Sequence, residues 1–258
     1  GVHSDDGIER AKGAPTVLTH AERHELVAAC RWVDEVVGDL PYEVPVSLLD
    51  RLDCDVVVHG DDLPASADGG GLLDEVMAAG RLRIVKRTEG TSTTTLIGRL
   101  LSASKDHLLS RTAADRALPS APRLISEEAT QRGPDGGSAP DSAPLWMLLP
   151  TMSRMVLFYG NRPPRSLCGA TRVVYAPGEW DLFHVGHVRF LQRARALGDF
   201  LLVGCYEDST IHRKKGRNYP LQTLHERALN VLACRHVDDV LLGAPWVVTK
   251  DLLTTLNV

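Results

Sequence analysis

The chain repeats part of its own sequence at a distance of 203 to 204 residues. Lys12-Gly13 aligns with Lys215-Gly216 and, after a gap of one residue, the stretch 22–54 aligns with 226–258. The longer stretch holds 14 identical residues in 33 positions, where ordinary residue usage predicts roughly two. Because each copy of a repeat is one structural unit, we expect both copies to form the same fold.

The two copies are cut at opposite ends. Copy one continues past the aligned stretch to about Leu101, whereas copy two begins earlier, near Thr171. Residues 172–203 and 1–101, joined as one unit, make 133 residues, which is a usual size for a single domain. We therefore expect the chain to hold the back of one unit and the front of another, so that each copy is truncated.

Composition divides the chain between the copies. Residues 110–144 are rich in Ser, Ala, Pro and Gly, the composition of a linker that cannot bury a core. Leu145–Tyr159 is apolar, but it is shorter than the roughly 20 residues that span a bilayer and contains Pro150 and Arg154. The predicted organisation is the C-terminal portion of a first domain over 1–104, a disordered linker over 105–144, a docked helix and connection over 145–170, and the N-terminal portion of a second domain over 171–258.

Charge and cysteine content restrict the class of protein. The 29 Lys and Arg against 33 Asp and Glu give a net charge of −4, which argues against a nucleic-acid-binding surface. A hydrophobic fraction of 43% with 24% charged residues is typical of a globular protein. The five cysteines are scattered and never spaced as C-x-x-C, so the sequence predicts a cytoplasmic protein with neither a disulfide framework nor a zinc site.

Hydrophobic periodicity predicts strands that alternate with helices, which implies an α/β fold with a doubly wound parallel sheet. The predicted strands are Arg172–Gly178, Phe200–Tyr206, Val33–Val37 with its counterpart Asp239–Leu242, Asp55–His59 and Leu82–Lys86. The predicted helices are Val188–Leu197, His20–Arg31 with Leu224–Arg235, Pro45–Leu52 with Val248–Leu256, Leu72–Ala79 and Thr93–Ser104.

The segment 178–187, Gly-Glu-Trp-Asp-Leu-Phe-His-Val-Gly-His, joins a predicted strand to its helix. In a doubly wound sheet, phosphates bind at this position beside a helix N-terminus. His184 and His187 can both donate hydrogen bonds to one phosphate, and Gly186 lets the backbone approach closely. The alternative is a pair of surface histidines at a helix start, but the position after a strand favours a phosphate site.

Two further features suit a polyphosphate. Residues 87–94, Arg-Thr-Glu-Gly-Thr-Ser-Thr-Thr, offer a guanidinium, hydroxyls and backbone N–H groups to an anion, although a capped helix after a turn shows the same pattern. Lys12 and Lys215 keep a cation in a predicted loop of both copies, which indicates phosphate neutralisation. The basic run 212–217 is not shared by copy one and is interpreted as a solvated loop.

Other polar residues leave two readings open. His59, Asp61 and Asp62 follow an apolar strand, where the carboxylates either hold an amine or form a turn. Arg31 and Arg235 stand in the repeated motif C-R-x-V-D and either hold a phosphate or pair with a neighbouring Asp.

Taken together, these motifs resemble the cytidylyltransferases. The matching segments are G-x-W-D-L-F-H-V-G-H at 178–187, K-G at 12 and 215, C-R-x-V-D at 30 and 234, H-G-D-D at 59 and R-T-E-G-T-S-T-T at 87. Choline-phosphate enzymes of this family carry one such domain and an amphipathic helix, whereas a tandem pair joined by a linker resembles the ethanolamine-phosphate enzymes. The resemblance implies a Rossmann-like nucleotidyltransferase fold that converts CTP and phosphoethanolamine into CDP-ethanolamine and pyrophosphate, for phosphatidylethanolamine synthesis.

The resemblance also implies roles for individual residues. The implied catalytic residues are His184, His187, Lys215 and Lys12. The implied CTP contacts are Ala176, Pro177, Gly178, Asp181, Gly186, Arg87, Thr88, Gly90, Thr91, Ser92 and Thr93. The implied substrate contacts are His59, Asp61, Asp62, Arg31, Arg235 and Trp246. Mg²⁺ is expected to arrive with CTP and not to occupy a metal site of the protein. A homodimer, and at most peripheral contact with the endoplasmic reticulum, are compatible with this assignment.

Two alternatives stay open. The H-x-G-H of copy one and the R-T-x-G of copy two are not part of the 258 residues, so a non-catalytic nucleotide-binding fragment is one of them. Phosphocholine as the substrate is the other. Class I aminoacyl-tRNA synthetases also use an H-I-G-H-like signature, but the chain has neither their K-M-S-K-S-like loop nor their length.

Overall fold

A computed structural model describes residues 1–63, 71–88, 92–102, 156–157, 172–216, 218–256 and 258. The chain forms two compact units, Gly1–Ser92 (unit 1) and Thr93–Val258 (unit 2). The predicted linker over 105–144 and most of the segment 145–170 lie outside the described residues, as do Gly90 and Thr91. Within the described part of the chain, every helix is too short or too polar to cross a membrane.

Unit 1 is built around a parallel strand pair. Its elements are α1 (Asp5–Lys12), α2 (His20–Ala28), α3 (Val46–Arg51), β1 (Val57–Gly60), α4 (Asp74–Ala78) and β2 (Leu82–Val85). β1 pairs with β2 in parallel, and Leu49, Leu73 and Val76 form the core beneath them. The predicted strand Val33–Val37 is wrong, because pairing at this place is limited to a single parallel bridge between His3 and Leu40.

Unit 2 has parallel strands with helices on both faces. Its elements are α5 (Thr93–Ser102), β3 (Val156–Leu157), β4 (Val173–Gly178), α6 (Val185–Arg195), β5 (Phe200–Tyr206), α7 (Asp208–Lys215), α8 (Leu224–Ala233), β6 (Asp239–Ala244) and α9 (Lys250–Leu256). The sheet order is β3-β6-β5-β4, with β4, β5 and β6 parallel and β3 antiparallel. Leu201 and Val203 of β5 pack in one core cluster, and Leu202 packs in another. Since β5 is buried on both faces, the α/β fold with parallel sheets predicted from the sequence is confirmed.

Three elements differ from the sequence prediction. Lys12 and Lys215 end helices α1 and α7 instead of lying in loops. Val156–Leu157 form a strand where a helix is predicted. Helix α5 packs within unit 2, where Arg99 makes a bidentate ion pair with Glu226 and donates to the Leu221 carbonyl at 3.1 Å. The Arg99 and Glu226 side chains are only 11% and 7% exposed, so this contact fixes the helix to α8.

Candidate active site

The two histidines of the H-x-G-H motif begin helix α6. His184 is the N-cap residue, and its Nδ1 accepts a hydrogen bond from the Gly186 N–H at 3.1 Å. The Nδ1 of His187 accepts from the His184 N–H at 3.3 Å. These bonds satisfy backbone donors that a helix start leaves unpaired. The two rings consequently lie side by side, with centroids 4.1 Å apart.

The hydrogen bonds determine which ring nitrogen of each histidine carries the hydrogen. An imidazole nitrogen that accepts a hydrogen bond has no hydrogen of its own, so each neutral ring carries it on Nε2. Burial lowers the pKa of His187 to about 4, and the nearby His184 adds to this effect. His187 is therefore neutral at pH 7 and offers an Nε2–H donor.

The loop between β4 and α6 is held in a strained conformation. Trp180 and Leu182 have φ angles of 59° and 49°, in the left-handed region that side chains disfavour. The Trp180 indole donates to the Gly204 carbonyl at 2.9 Å, and the Leu182 N–H donates to the Gln222 side chain at 2.8 Å. Strain of this kind persists only where surrounding contacts fix the backbone, as at active sites.

A cavity of about 560 Å³ lies over this loop. Its lining includes Pro177, Gly178, Asp181, His184, His187 and Lys215. Lys215 Nζ lies 2.7 Å from the Glu179 carboxylate, and this hydrogen bond raises the pKa of Lys215. The structure thus brings together six of the predicted site residues, with a cation and two imidazole donors on one surface.

Two other predicted residues of unit 2, Ala176 and Gly186, and Asp181 of the cavity lining each have a role in the fold. Ala176 packs in the core, 5% exposed, so only its backbone can meet a nucleotide. Both carboxylate oxygens of Asp181 accept backbone N–H groups, those of Leu221 at 2.7 Å and Gln222 at 2.8 Å. A Cβ at Gly186 would lie 2.8 Å from the His184 ring, so a side chain there would displace that ring.

The sequence analysis did not predict Arg227, whose side chain holds the backbone of the site in place. Its buried guanidinium donates to the backbone carbonyls of Glu179 and Tyr206 and pairs with Asp208 at 2.6 Å. Burial raises the pKa of Asp208, an effect that the neighbouring Arg227 opposes. The signal was available, since Glu-Arg is identical in both copies at 22–23 and 226–227.

Unit 1 has a cavity of about 750 Å³, and its lining includes Lys12, His59 and Asp62 together with His3 and Tyr42. His3 and Tyr42 were not predicted. Their rings are 5.1 Å apart, and they align with Tyr206 and Trp246, whose rings are 4.8 Å apart. An aromatic pair at the same place in both copies was a signal in the sequence.

Arg87 contacts the two predicted substrate-binding carboxylates Asp61 and Asp62. Its guanidinium pairs with Asp62, and its backbone N–H donates to Asp61 at 3.2 Å. Of its loop, the structure describes Thr88, Ser92 and the first helical residue Thr93, where α5 begins.

Arg31 and Arg235 lie away from the two cavities. The carboxyl ends of β4 and β5 carry the site, and α8 runs from that edge to the opposite one. Arg235, which follows α8 and precedes β6, therefore lies at the far edge of the sheet. Arg31 follows α2, the counterpart of α8, and does not line the unit 1 cavity. The structure thus does not bring these two arginines to the phosphate sites.

The fold and the histidine pair define a nucleotide-binding transferase of the cytidylyltransferase type. A family model described as cytidylyltransferase-like matches residues 1–99 and 175–258, which are the two repeat copies.

Curated relatives narrow this class. The chain is 42% identical over its whole length to ethanolamine-phosphate cytidylyltransferase from Dictyostelium discoideum, 40% to that from Arabidopsis thaliana and 41% to that from Mus musculus. It covers 68%, 61% and 66% of these proteins, respectively. The chain belongs to the ethanolamine-phosphate cytidylyltransferase family.

Proposed function

We propose that this protein transfers a cytidylyl group from CTP to phosphoethanolamine. The observation that carries the proposal is the pair of imidazoles at the start of α6, each with Nδ1 accepting a backbone N–H and Nε2–H left as a donor. A phosphate oxygen of the substrate attacks the α-phosphorus of CTP, a new P–O bond forms, and pyrophosphate leaves with the electrons of the broken P–O bond. His184 and His187 donate hydrogen bonds to the charged oxygens of this transition state.

The cations have separate tasks in this proposal. Lys215, charged at neutral pH, neutralises phosphate oxygens beside the histidines, and Lys12 does so in unit 1. In unit 1, Arg87 and the loop that follows it hold the β and γ phosphates of a nucleotide bound to that unit. Mg²⁺ is proposed to enter bound to the triphosphate of the substrate CTP, keeping several water ligands.

The location of the reaction follows from its substrates and product. CTP and phosphoethanolamine are both water-soluble, and the product serves lipid synthesis. We therefore place the protein in the cytoplasm, with at most peripheral contact at the endoplasmic reticulum.

The proposal is tested by incubating the purified chain with CTP, Mg²⁺ and phosphoethanolamine and measuring CDP-ethanolamine. His184→Ala and His187→Ala are each expected to lower kcat about 10²- to 10³-fold, the usual cost of losing one donor to a transition state. His225→Ala is the matched control, because His225 is exposed and does not line the cavity. CTP binding without product formation would show a non-catalytic nucleotide-binding protein, and a preference for phosphocholine would overturn the substrate assignment.

A further inference from the structure

An aromatic pair extends from the unit 2 cavity. Tyr206 lines the cavity, and its ring lies 4.8 Å from that of Trp246 at a tilt of 38°. The Nζ of Lys214 lies over the Trp246 ring, 5.8 Å from the centroid. A cation at this distance from an indole face is attracted by the ring quadrupole. The ammonium of Lys214 is thus already a neighbour of the Trp246 indole.

The two copies of the repeat differ at this lysine. The aromatic pair has its counterpart in His3 and Tyr42, whose rings are 5.1 Å apart, but the residue aligned with Lys214 is Ala11. The neighbouring lysines Lys12 and Lys215 are identical in the alignment. Copy two therefore has a positive charge beside the aromatic pair that copy one lacks, whereas the next lysine is present in both copies.

We propose that Lys214 is a specificity-determining residue of unit 2, because its ammonium occupies the Trp246 face that would otherwise receive the ammonium of a phosphorylated amino alcohol. This inference rests on the proposed function, in which the substrate has a phosphate at one end and an ammonium at the other. Lys214 competes with that ammonium, both for the ring face and by charge repulsion. Lys214 consequently weakens the binding of phosphoethanolamine to unit 2 without excluding it, and it leaves the binding of an uncharged phosphate ester of the same size unchanged.

The test observes Trp246 directly. The chain has four tryptophans, so in a chain labelled with 5-fluorotryptophan the Trp246 resonance is the one that a Trp246→Phe variant lacks. Phosphoethanolamine and ethyl phosphate, which lacks the ammonium, are titrated separately while the fluorine shift of Trp246 is recorded. Lys214→Met is expected to lower the apparent Kd of phosphoethanolamine at Trp246 about two- to fivefold, the range of an exposed cation–π contact. The Kd of ethyl phosphate is expected to stay unchanged.

Arg213→Met is the matched control, since Arg213 is an exposed cation in the same helical turn. This variant removes one charge without removing the ammonium over the indole, so it should not change the ratio of the two Kd values. An equal change of that ratio in both variants would overturn the proposal, because general electrostatics would then explain it. If Lys214→Met leaves the ratio unchanged while the chain still makes CDP-ethanolamine, the inference fails and the proposed function stands. If the chain makes no CDP-ethanolamine and neither ligand shifts Trp246, both fail.

Discussion

Arg23 of unit 1 and Arg227 of unit 2 occupy the same position of the repeat but differ in burial. Each pairs with the aligned aspartate, Asp5 or Asp208, at 2.5 and 2.6 Å respectively. The Arg23 side chain is 21% exposed, whereas that of Arg227 is 0% exposed. The extra acceptors in unit 2 are the backbone carbonyls of Glu179 and Tyr206. The same ion pair is thus partly solvated in one unit, whereas in the other it is buried and supports the loop that lines the cavity.

The largest expected difference comes from removing this arginine in each unit. Arg227→Met leaves the Asp208 carboxylate without its buried partner, and breaking such a pair destabilises a protein by about 3–5 kcal/mol. Arg23→Met should cost about 1 kcal/mol at most, because solvent screens its pair. Amide hydrogen exchange of β5 and of α2 reports the two units separately.

Arg213→Met serves as the control for the loss of one positive charge from unit 2, since Arg213 is exposed. Equal losses of protection in β5 and α2 after the two aligned substitutions would contradict the comparison.

A smaller difference is expected at the helix caps. Thr19 and Thr223 both form a capping box with the glutamate three residues later, but Thr223 is only 5% exposed. Replacing a capping threonine by alanine usually costs about 0.5–2 kcal/mol. Thr223→Ala should fall near the upper end and Thr19→Ala near the lower, as measured by exchange of the first amides of α8 and α2.

Thr254→Ala is a suitable reference for the caps, because the Thr254 hydroxyl donates to the Lys250 carbonyl within α9 and does not accept a helix-start N–H. Losses of equal size at the two caps would show that burial does not strengthen this bond.

The smallest expected effect is the pH dependence that Glu226 gives to unit 2. Burial of the Glu226 carboxyl would raise its pKa, but hydrogen bonds from Arg99 and from the Thr223 backbone outweigh it, so the pKa is lowered from 4.5. A lowered carboxyl pKa stabilises the fold above the unfolded value of 4.5, and this stability is lost as pH falls through the folded pKa. Unfolding followed by near-UV circular dichroism between pH 6 and 3 should show this loss, reduced in Glu226→Gln. An unaltered pH profile in that variant would refute the assignment to Glu226.

The sequence predicted β5 with its observed bounds, because seven consecutive uncharged residues, of which the structure buries six, leave little ambiguity. It also placed His184 correctly between a strand and a helix, whereas His187 lies in the first turn of α6, which begins three residues earlier than predicted. Helix α1 was missed because Ile8 is its one large apolar residue, so the sequence shows no repeated apolar position there.

The supporting contacts were harder to predict. The partners of Arg227 include backbone carbonyls at positions 179 and 206, which only the folded chain brings near it. The location of Arg235, by contrast, could have been predicted. It follows from the direction in which α8 crosses the sheet, and the predicted alternation of strands and helices implies that direction.

The left-handed backbone at Leu182 has a consequence for how this loop can vary. A residue without a side chain adopts that conformation without penalty, and the bond to Gln222 uses only the backbone N–H of Leu182. A library sorted for folding should therefore accept glycine at this position. One sorted for turnover should retain leucine, since its side chain lines the cavity and its restricted backbone keeps the loop in a single shape. Position 182 is thus a place where selection for durability and selection for catalysis would diverge.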